Sequence, residues 1–365
     1  MMRALQLLGP STGGIRMHVA ALADGLERLG VVAPVLGPAG VLDGRGTQAG
    51  VVPVPAGTSP VGLLRARRAL APWREDADVL HAHGLKAAWV AVRGRPRRPM
   101  VITVHNVVLD ETAGRAAGLQ RRLEQAVLAR ADRVIAPSDA IADGLVGTVA
   151  RDRIRVVVPV SPPASPRRSR ADIRGRLGVS DDTPLVSCVA RLHPQKDLPT
   201  LLRAFVDVAA RVPDARLAVV GDGPDRSALE AESSRLGLDD VVRWVGFDAD
   251  AVDWIAASDV FALSSVWEAI PLVLPEAMAL GVPVVSTDVG MASELFGDGR
   301  AGAVVDVGDD RAMADALVRF LADRSGALAA GDAGREVAST RFDPDALTAE
   351  VLDVYRELVP AKGTR

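Results

Sequence analysis

The chain of 365 residues contains one cysteine, Cys188, so it can form no intrachain disulfide, and a reducing compartment suits it. That cysteine sits in Pro184-Leu185-Val186-Ser187-Cys188-Val189-Ala190 and reads as a buried strand residue. Aromatic side chains are only 3% of the total, so Ala, Val and Leu must fill the cores. Stacking residues are nearly absent from the first half, which argues against a nucleic-acid partner. No apolar run approaches the roughly 18 to 20 residues that cross a bilayer. The stretch Met1 to Pro10 has too short an apolar core for a signal peptide. These absences point to a cytoplasmic protein.

What is present is ample apolar material, 48% of the chain, enough for two domains. The net charge of −3 hides an asymmetry. Residues 1–160 carry 21 basic against 13 acidic side chains, and the remainder 22 against 33. In the basic half, Arg65, Arg67, Arg68, Arg93, Arg95, Arg97, Arg98, Arg115, Arg121 and Arg122 cluster, and Leu119 to Leu128 is amphipathic. Such a face suits peripheral contact with the inner, anionic face of a membrane, or a phosphorylated soluble acceptor; a plain solvated surface is the third reading.

Short β-branched runs alternate with helical stretches along both halves, from Ala4–Leu8 and Met17–Leu29 to Asp310–Leu328 and Asp345–Leu358. Alternation of this kind implies parallel, doubly wound sheets. Residues 159–169 hold four prolines without periodicity and read as a linker. The expected architecture is α/β: two Rossmann-like doubly wound parallel-sheet domains facing a cleft, with ligands at the carboxyl ends of the strands. Their expected bounds are 1–160 and 161–345, with 346–365 a final helix crossing back to the first.

Several loops carry chemistry. Pro10-Ser11-Thr12-Gly13-Gly14 follows a strand and precedes a helix; Gly13 and Gly14 let backbone N–H groups approach an anion such as a diphosphate, or simply make a tight turn. Arg191 and Lys196 stand five apart on a loop entering a helix, a fork and a point charge suited to two adjacent phosphates. Gly221-Asp222-Gly223-Pro224 fails as a dinucleotide fingerprint, because the sixth position is Arg226 and a proline interrupts the loop. His81 and His83 lie two apart on one strand face, but no further ligand completes a metal site. His105 ends another strand.

The most specific stretch is Ser258 to Glu276. Glu268 and Glu276 stand eight apart, the first ending a strand-like run and the second opening a helix. Carboxylates so placed accept hydrogen bonds from the hydroxyls of a sugar. With Ser264-Ser265 before, Pro271 between and Gly281-Val282-Pro283 after, the stretch resembles the retaining glycosyltransferases of the two-domain family 4, with their Glu-x7-Glu signature.

That resemblance implies the glycosyltransferase B fold, with a nucleotide sugar on the C-terminal domain and the acceptor on the N-terminal domain. It places Arg191 and Lys196 on the donor diphosphate, Glu276 on the ribose, Glu268 near the donor sugar and His105 close to the transferred sugar. Backbone groups of Ile270, Pro271 and Leu272 would face sugar and phosphate, and Gly246 and Phe247 the base; Phe247 reads equally well as core. The implied reaction moves a hexose from a UDP- or GDP-sugar to a hydroxyl of a glycan, lipid-linked or phosphorylated acceptor, with retention. The nucleotide sugar is a co-substrate, and neither a cofactor nor a metal is expected.

Three departures from the family pattern stand out: Ala269 for Gly, Gly290-Met291 for Gly-Gly, and Pro159-Val160-Ser161-Pro162 for a Pro-Asn-Gly-Val-like turn. Ala269 and Met291 keep a rival reading open, a catalytically degenerate scaffold on the same fold; a nucleotide-sugar 2-epimerase-like enzyme, which shares the two-domain fold, is a further one.

Overall fold

The computed structural model describes residues 1–11, 13–42, 47–57, 59–105, 117–162, 164–296 and 298–359. The chain divides into two compact units, Met1–Pro162 with Phe342–Arg365, and Pro163–Arg341. In the first, strands β1 (Ala4–Leu8), β2 (Val35–Gly37), β3 (Gln48–Val51), β4 (Val79–His83), β5 (Met100–Thr103), β6 (Arg133–Ala136) and β7 (Ile154–Val156) alternate with helices α1 (Gly14–Arg28), α2 (Pro60–Glu75), α3 (Leu85–Ala91), α4 (Ala117–Leu128) and α5 (Asp139–Leu145). The second holds β8 (Leu185–Val189), β9 (Arg216–Val220), β10 (Val242–Gly246), β11 (Val260–Leu263), β12 (Val284–Thr287) and β13 (Gly302–Val305). Its helices are α6 (Arg170–Leu177), α7 (Leu198–Arg211), α8 (Arg226–Arg235), α9 (Val252–Ala256), α10 (Val273–Ala279), α11 (Ala292–Phe296), α12 (Asp310–Ala322) and α13 (Arg324–Arg341). The last helix, α14 (Pro344–Leu358), belongs to the first unit.

Both sheets are parallel throughout. Their orders are β3-β2-β1-β4-β5-β6-β7 and β10-β9-β8-β11-β12-β13. Strands β1, β4 and β11 are buried along their whole length, as helices on both faces of a parallel sheet require. Strand order reverses between β1 and β4 in one unit and between β8 and β11 in the other, and ligands settle in the crevice outside such a reversal.

Helix α14 completes the first core. Leu347, Val351 and Leu352 join Val19, Leu22 and Leu26 of α1 in one apolar cluster. The helices meet at Gly25, where a Cβ would stand 2.5 Å from Thr348 Oγ1.

Several elements differ from the sequence reading. The β-branched run Val31–Val35 reads as a strand, but the strand lies at Val35–Gly37, because Pro34 has no N–H for the ladder. The helix expected over Asp310–Leu328 breaks at Asp323, whose carboxylate accepts from Ser325 Oγ and Gly326 N at 2.8 and 3.0 Å and starts α13. The Pro-rich stretch ends in a capping box, Ser169 with Asp172, that opens α6.

Backbone contact fixes the loop after β8. Ala190 N donates to Val220 O at 3.0 Å and Leu192 N to Asp222 O at 3.0 Å. A Cβ on Gly221 would stand 1.9 Å from Ala190 O, and one on Gly223 2.1 Å from Leu192 O. Gly221 also has φ +141°, which an L side chain rarely adopts. Gly221→Ala is expected to destabilise the protein by about 2 kcal/mol or more in urea denaturation, or to displace the loop that carries Arg191 and Lys196.

Candidate active site

In the second unit the loops after β8 and β11 lock together at the order reversal. Val266 N donates to Gln195 O at 2.9 Å, Gln195 Nε2 to Trp267 O at 2.8 Å, and Ser264 Oγ to Lys196 O at 2.9 Å. From β12, Thr287 Oγ1 donates to Ser265 O at 2.6 Å. This lattice brings the Lys196 ammonium onto Glu268 Oε1, the oxygen that also accepts from Ser265 Oγ at 2.8 Å. Both ends of the ion pair are largely withdrawn from water. Arg191, in contrast, is exposed, with no ion pair to it among the described residues. The loop thus presents one fixed cation and one free guanidinium.

The two glutamates sit otherwise than expected. Glu268 lies five residues beyond the end of β11, and α10 starts at Val273, so Glu276 is the fourth residue of its helix and half-buried. That helix is seated by α13: Gly331 lies so close that a Cβ would stand 2.0 Å from Gly281 O, and Arg335 Nη2 donates to Leu280 O at 3.2 Å. Between the glutamates, Pro271 is buried and Ile270 and Leu272 are half-buried. Gly290 has φ +59°, and a Cβ there would meet Pro271 Cδ at 2.9 Å and Glu268 O at 3.4 Å. The departure next to it, Met291, is buried at 4% exposure. Gly246, with φ +85°, accepts from Gly221 N at 2.8 Å. Phe247 is 67% exposed, so it is a surface ring and not a core residue.

The remaining expected residues lie in the first unit. Gly13 caps α1 with φ 62° and ψ −136°, a conformation open essentially to glycine alone, and Gly14 is the helix's first residue. His105 follows β5 and is buried, as are His81 and His83 on β4. Asn106 and Arg115 lie outside the described residues.

The histidines join a buried polar chain, and the proton positions along its His83–His105 branch follow from one fixed point, the Ala4 carbonyl, which can only accept. Gln6 Nε2 donates to it at 3.0 Å, and to the Tyr355 hydroxyl at 3.2 Å. Gln6 Oε1 therefore accepts, at 2.9 Å, from His83 Nε2, which leaves His83 Nδ1 unprotonated. His105 Nε2 donates to that nitrogen at 3.4 Å. On the other side His81 Nδ1 is hydrogen-bonded to the Tyr355 hydroxyl at 2.6 Å, and His81 Nε2 to Thr103 Oγ1 at 2.7 Å. His18 Nδ1 donates to Val160 O at 3.1 Å. His105 Nδ1 and His18 Nε2 are left as lone-pair acceptors. The sequence reading assigned no role to His18, Gln6 or Tyr355. The signals were Gln6, the one polar residue in Ala4-Leu5-Gln6-Leu7-Leu8, and Tyr355, the chain's only tyrosine.

The sequence pairs His81 with His83, but the set that could surround a cation is His18, His83 and His105, with ligand atoms within 4.8 Å of one another. Two of those atoms already share the proton between His105 and His83, so the arrangement serves as a hydrogen-bonded network. Burial pushes His18 down to about 4, and burial reinforced by His18 pushes His81 down to about 3. Burial and neighbouring imidazoles hold His83 and His105 well below the usual histidine range. All four are neutral at pH 7.

Above the ordinary value of 6.5 neither state binds these protons; below it the unfolded chain takes them up and the native state does not. Each histidine therefore removes about 1.4 kcal/mol of stability per pH unit as pH falls from 6.5 towards its own lowered value. Urea midpoints are expected to fall steeply from pH 6.5 to 5, before the carboxylates titrate, and Tyr355→Phe to lower the unfolding free energy at pH 7 by about 1–3 kcal/mol.

Two family models match the chain: "Glycosyl transferase 4-like domain" over residues 13–161 and "Glycosyl transferases group 1" over residues 169–337. A D-inositol 3-phosphate glycosyltransferase of Saccharomonospora viridis is 34% identical over 311 residues, 79% of this chain and 72% of the relative. A GDP-mannose-dependent α-(1-6)-phosphatidylinositol monomannoside mannosyltransferase of Mycolicibacterium smegmatis is 38% identical over 201 residues, 52% of each chain. In fold, the chain is similar to Anabaena HepE, solved with UDP and glucose, at a TM-score of 0.85 and 24% identity over 98% of this chain and all of that one. The two parallel-sheet units are of the glycosyltransferase B type, and with the residues of both matched regions in place the chain belongs to the group 1 family of glycosyltransferases.

Proposed function

We propose that this glycosyltransferase moves a hexose from a nucleoside-diphosphate sugar to an acceptor hydroxyl with retention of configuration. The observation that carries the reading is the Lys196–Glu268 pair at the β8/β11 reversal. A lysine held there by a carboxylate is preorganised for the diphosphate, and the exposed Arg191 adds a planar fork for the second phosphate. As the C1–O bond to the diphosphate breaks, negative charge grows on the leaving oxygen, and these two cations stabilise it, the part a metal ion plays elsewhere. The acceptor oxygen forms its bond to C1 from the same face, and its proton passes to the leaving phosphate oxygen. Glu268 then faces the sugar hydroxyls and Glu276 the ribose. Gly246 and the exposed Phe247 border the base, and backbone groups around Ile270, Pro271 and Leu272 border the sugar and phosphate. Gly13, Gly14 and the Nδ1 lone pair of His105 belong to the same reading on the first unit, His105 accepting from a sugar hydroxyl.

For the acceptor, the basic first half and the named substrates of the two relatives support an anionic polyol, a phosphorylated or lipid-linked inositol-type alcohol. The donor is bound by UDP or GDP chemistry; a mannosyltransferase relative that takes GDP-mannose and a structural neighbour with UDP support one base each.

A thermal-shift panel of UDP, GDP and ADP, each with and without Mg²⁺, tests the donor site. At 100 times its Kd the preferred nucleotide should add about 2.7 kcal/mol of stability, with or without Mg²⁺. Stabilisation by none of the three, together with no donor turnover in the presence of an inositol phosphate, would overturn the reading. Lys196→Ala and Glu268→Gln are each expected to lower kcat/KM by about 100-fold, and Glu276→Ala to act mainly by raising KM for the donor.

A further inference from the structure

The first unit has a second concave site at the opposite end of its sheet. A cavity of about 640 Å³ opens at the amino ends of β5 and β6, next to the residue before β7. Its walls include six arginines, Arg74, Arg97, Arg98, Arg130, Arg133 and Arg153, against one acid, Asp132. β5 is four residues long, so this end lies roughly 13 Å from the His83–His105 end of the same sheet. The volume falls within the range of small-molecule sites, roughly 300–1,000 Å³.

The local structure explains part of this basicity. Arg98 Nε donates to Arg74 O at 3.2 Å and its Nη2 to Glu75 O, which closes the carboxyl end of α2. Arg153 Nη2 donates to Ala129 O at 3.1 Å and to Ala131 O, which closes α4. Arg133 pairs with Glu357 at 2.9 Å, and the 84%-exposed Arg97 reaches Asp132 at 3.5 Å.

A remainder is unexplained by folding needs. Arg74 is 4% exposed, and no carboxylate pairs with it among the described residues. Its Nη2 donates to Ala91 O at 2.5 Å and Arg93 O at 3.3 Å, and no partner takes its Nε or Nη1 among the described residues. Arg153 Nε is buried and has no hydrogen-bond partner. Gly94, at φ +150°, is the one residue type that leaves room for the Arg74 guanidinium, since a Cβ would stand 2.7 Å from Arg74 Nε. A buried guanidinium without a counter-charge is costly, and an anion in the cavity would remove that cost. Burial, with Arg67 and Arg98 close by, already pushes the Arg74 pKa down.

We infer that this cavity is a binding site for a soluble ligand carrying two or more phosphates, separate from the site of glycosyl transfer. Several walls bring guanidinium forks to one concave space, the geometry that suits a polyphosphate better than a single ion. The recessed position of Arg74 favours a free molecule over the headgroups of a bilayer.

The test is calorimetric titration of the full chain with inorganic tripolyphosphate, in a background of Arg191→Ala with Lys196→Ala so that the proposed donor site does not contribute. One saturable site is expected. Adding Arg97→Ala with Arg130→Ala should weaken it at least about tenfold, whereas Arg65→Ala with Arg68→Ala, on the exposed face of α2, should leave it unchanged. Arg130→Ala alone serves if the pair does not fold, and is expected to give part of the loss. Three outcomes overturn the proposal: no binding in that background, equal loss from both arginine pairs, or capture by phosphatidylglycerol vesicles without any binding of tripolyphosphate.

Discussion

Parallel pairing of every strand is the constraint on which the rest of the structure depends. It sends all carboxyl ends of a sheet to one edge and all amino ends to the other, so each unit has two chemically different rims. At a carboxyl rim, the reversal of strand order parts two neighbouring loops and leaves room between them. In the second unit that room is lined by the loops after β8 and β11, and Gly221 and Gly223 let the first of them press against the loop after β9. The Lys196–Glu268 pair is a product of that compression: Lys196 ends a single 3-10 turn and Glu268 lies on a loop, and hydrogen bonds to the backbone of both loops hold them in place.

The two carboxyl rims solve opposite electrostatic problems. The second unit keeps a lysine–carboxylate pair largely withdrawn from water, where the ammonium can meet a phosphate. The first unit buries five polar side chains of β1, β4, β5 and α14 and keeps them uncharged, with each donor aimed at one acceptor. A low-dielectric interior strengthens such a chain only if every member is satisfied. The price is borne at acid pH, where unfolded histidines bind protons that the native ones refuse.

Much of the architecture was legible in the sequence. The bounds of Ala4–Leu8, Val79–His83, Leu185–Val189, Arg216–Val220 and Val260–Leu263 were plain, because buried parallel strands read as continuous β-branched and aliphatic runs. Glu268, Glu276, Arg191 and Lys196 stood out by residue type and spacing, but the ion pair between Lys196 and Glu268 did not, since it joins loops 72 residues apart. Helix α13 was missed because its sequence, rich in Ala, Gly and Ser, has few apolar residues at helical spacing. The Gln6–Tyr355 contact spans 349 residues and no local pattern could announce it. Helix boundaries near Glu276 shifted by three residues because Pro275 is tolerated within the first turn.

The return of α14 makes the first unit discontinuous in sequence, with the second inserted between its parts. During synthesis the second unit is therefore complete while the first still lacks its closing helix. A nascent chain that ends before residue 344 leaves the apolar face of α1 uncovered and denies Gln6 and His81 the hydroxyl of Tyr355. The order of assembly then runs against the order of translation: the amino-terminal unit, first to be made, is the last to gain its full core.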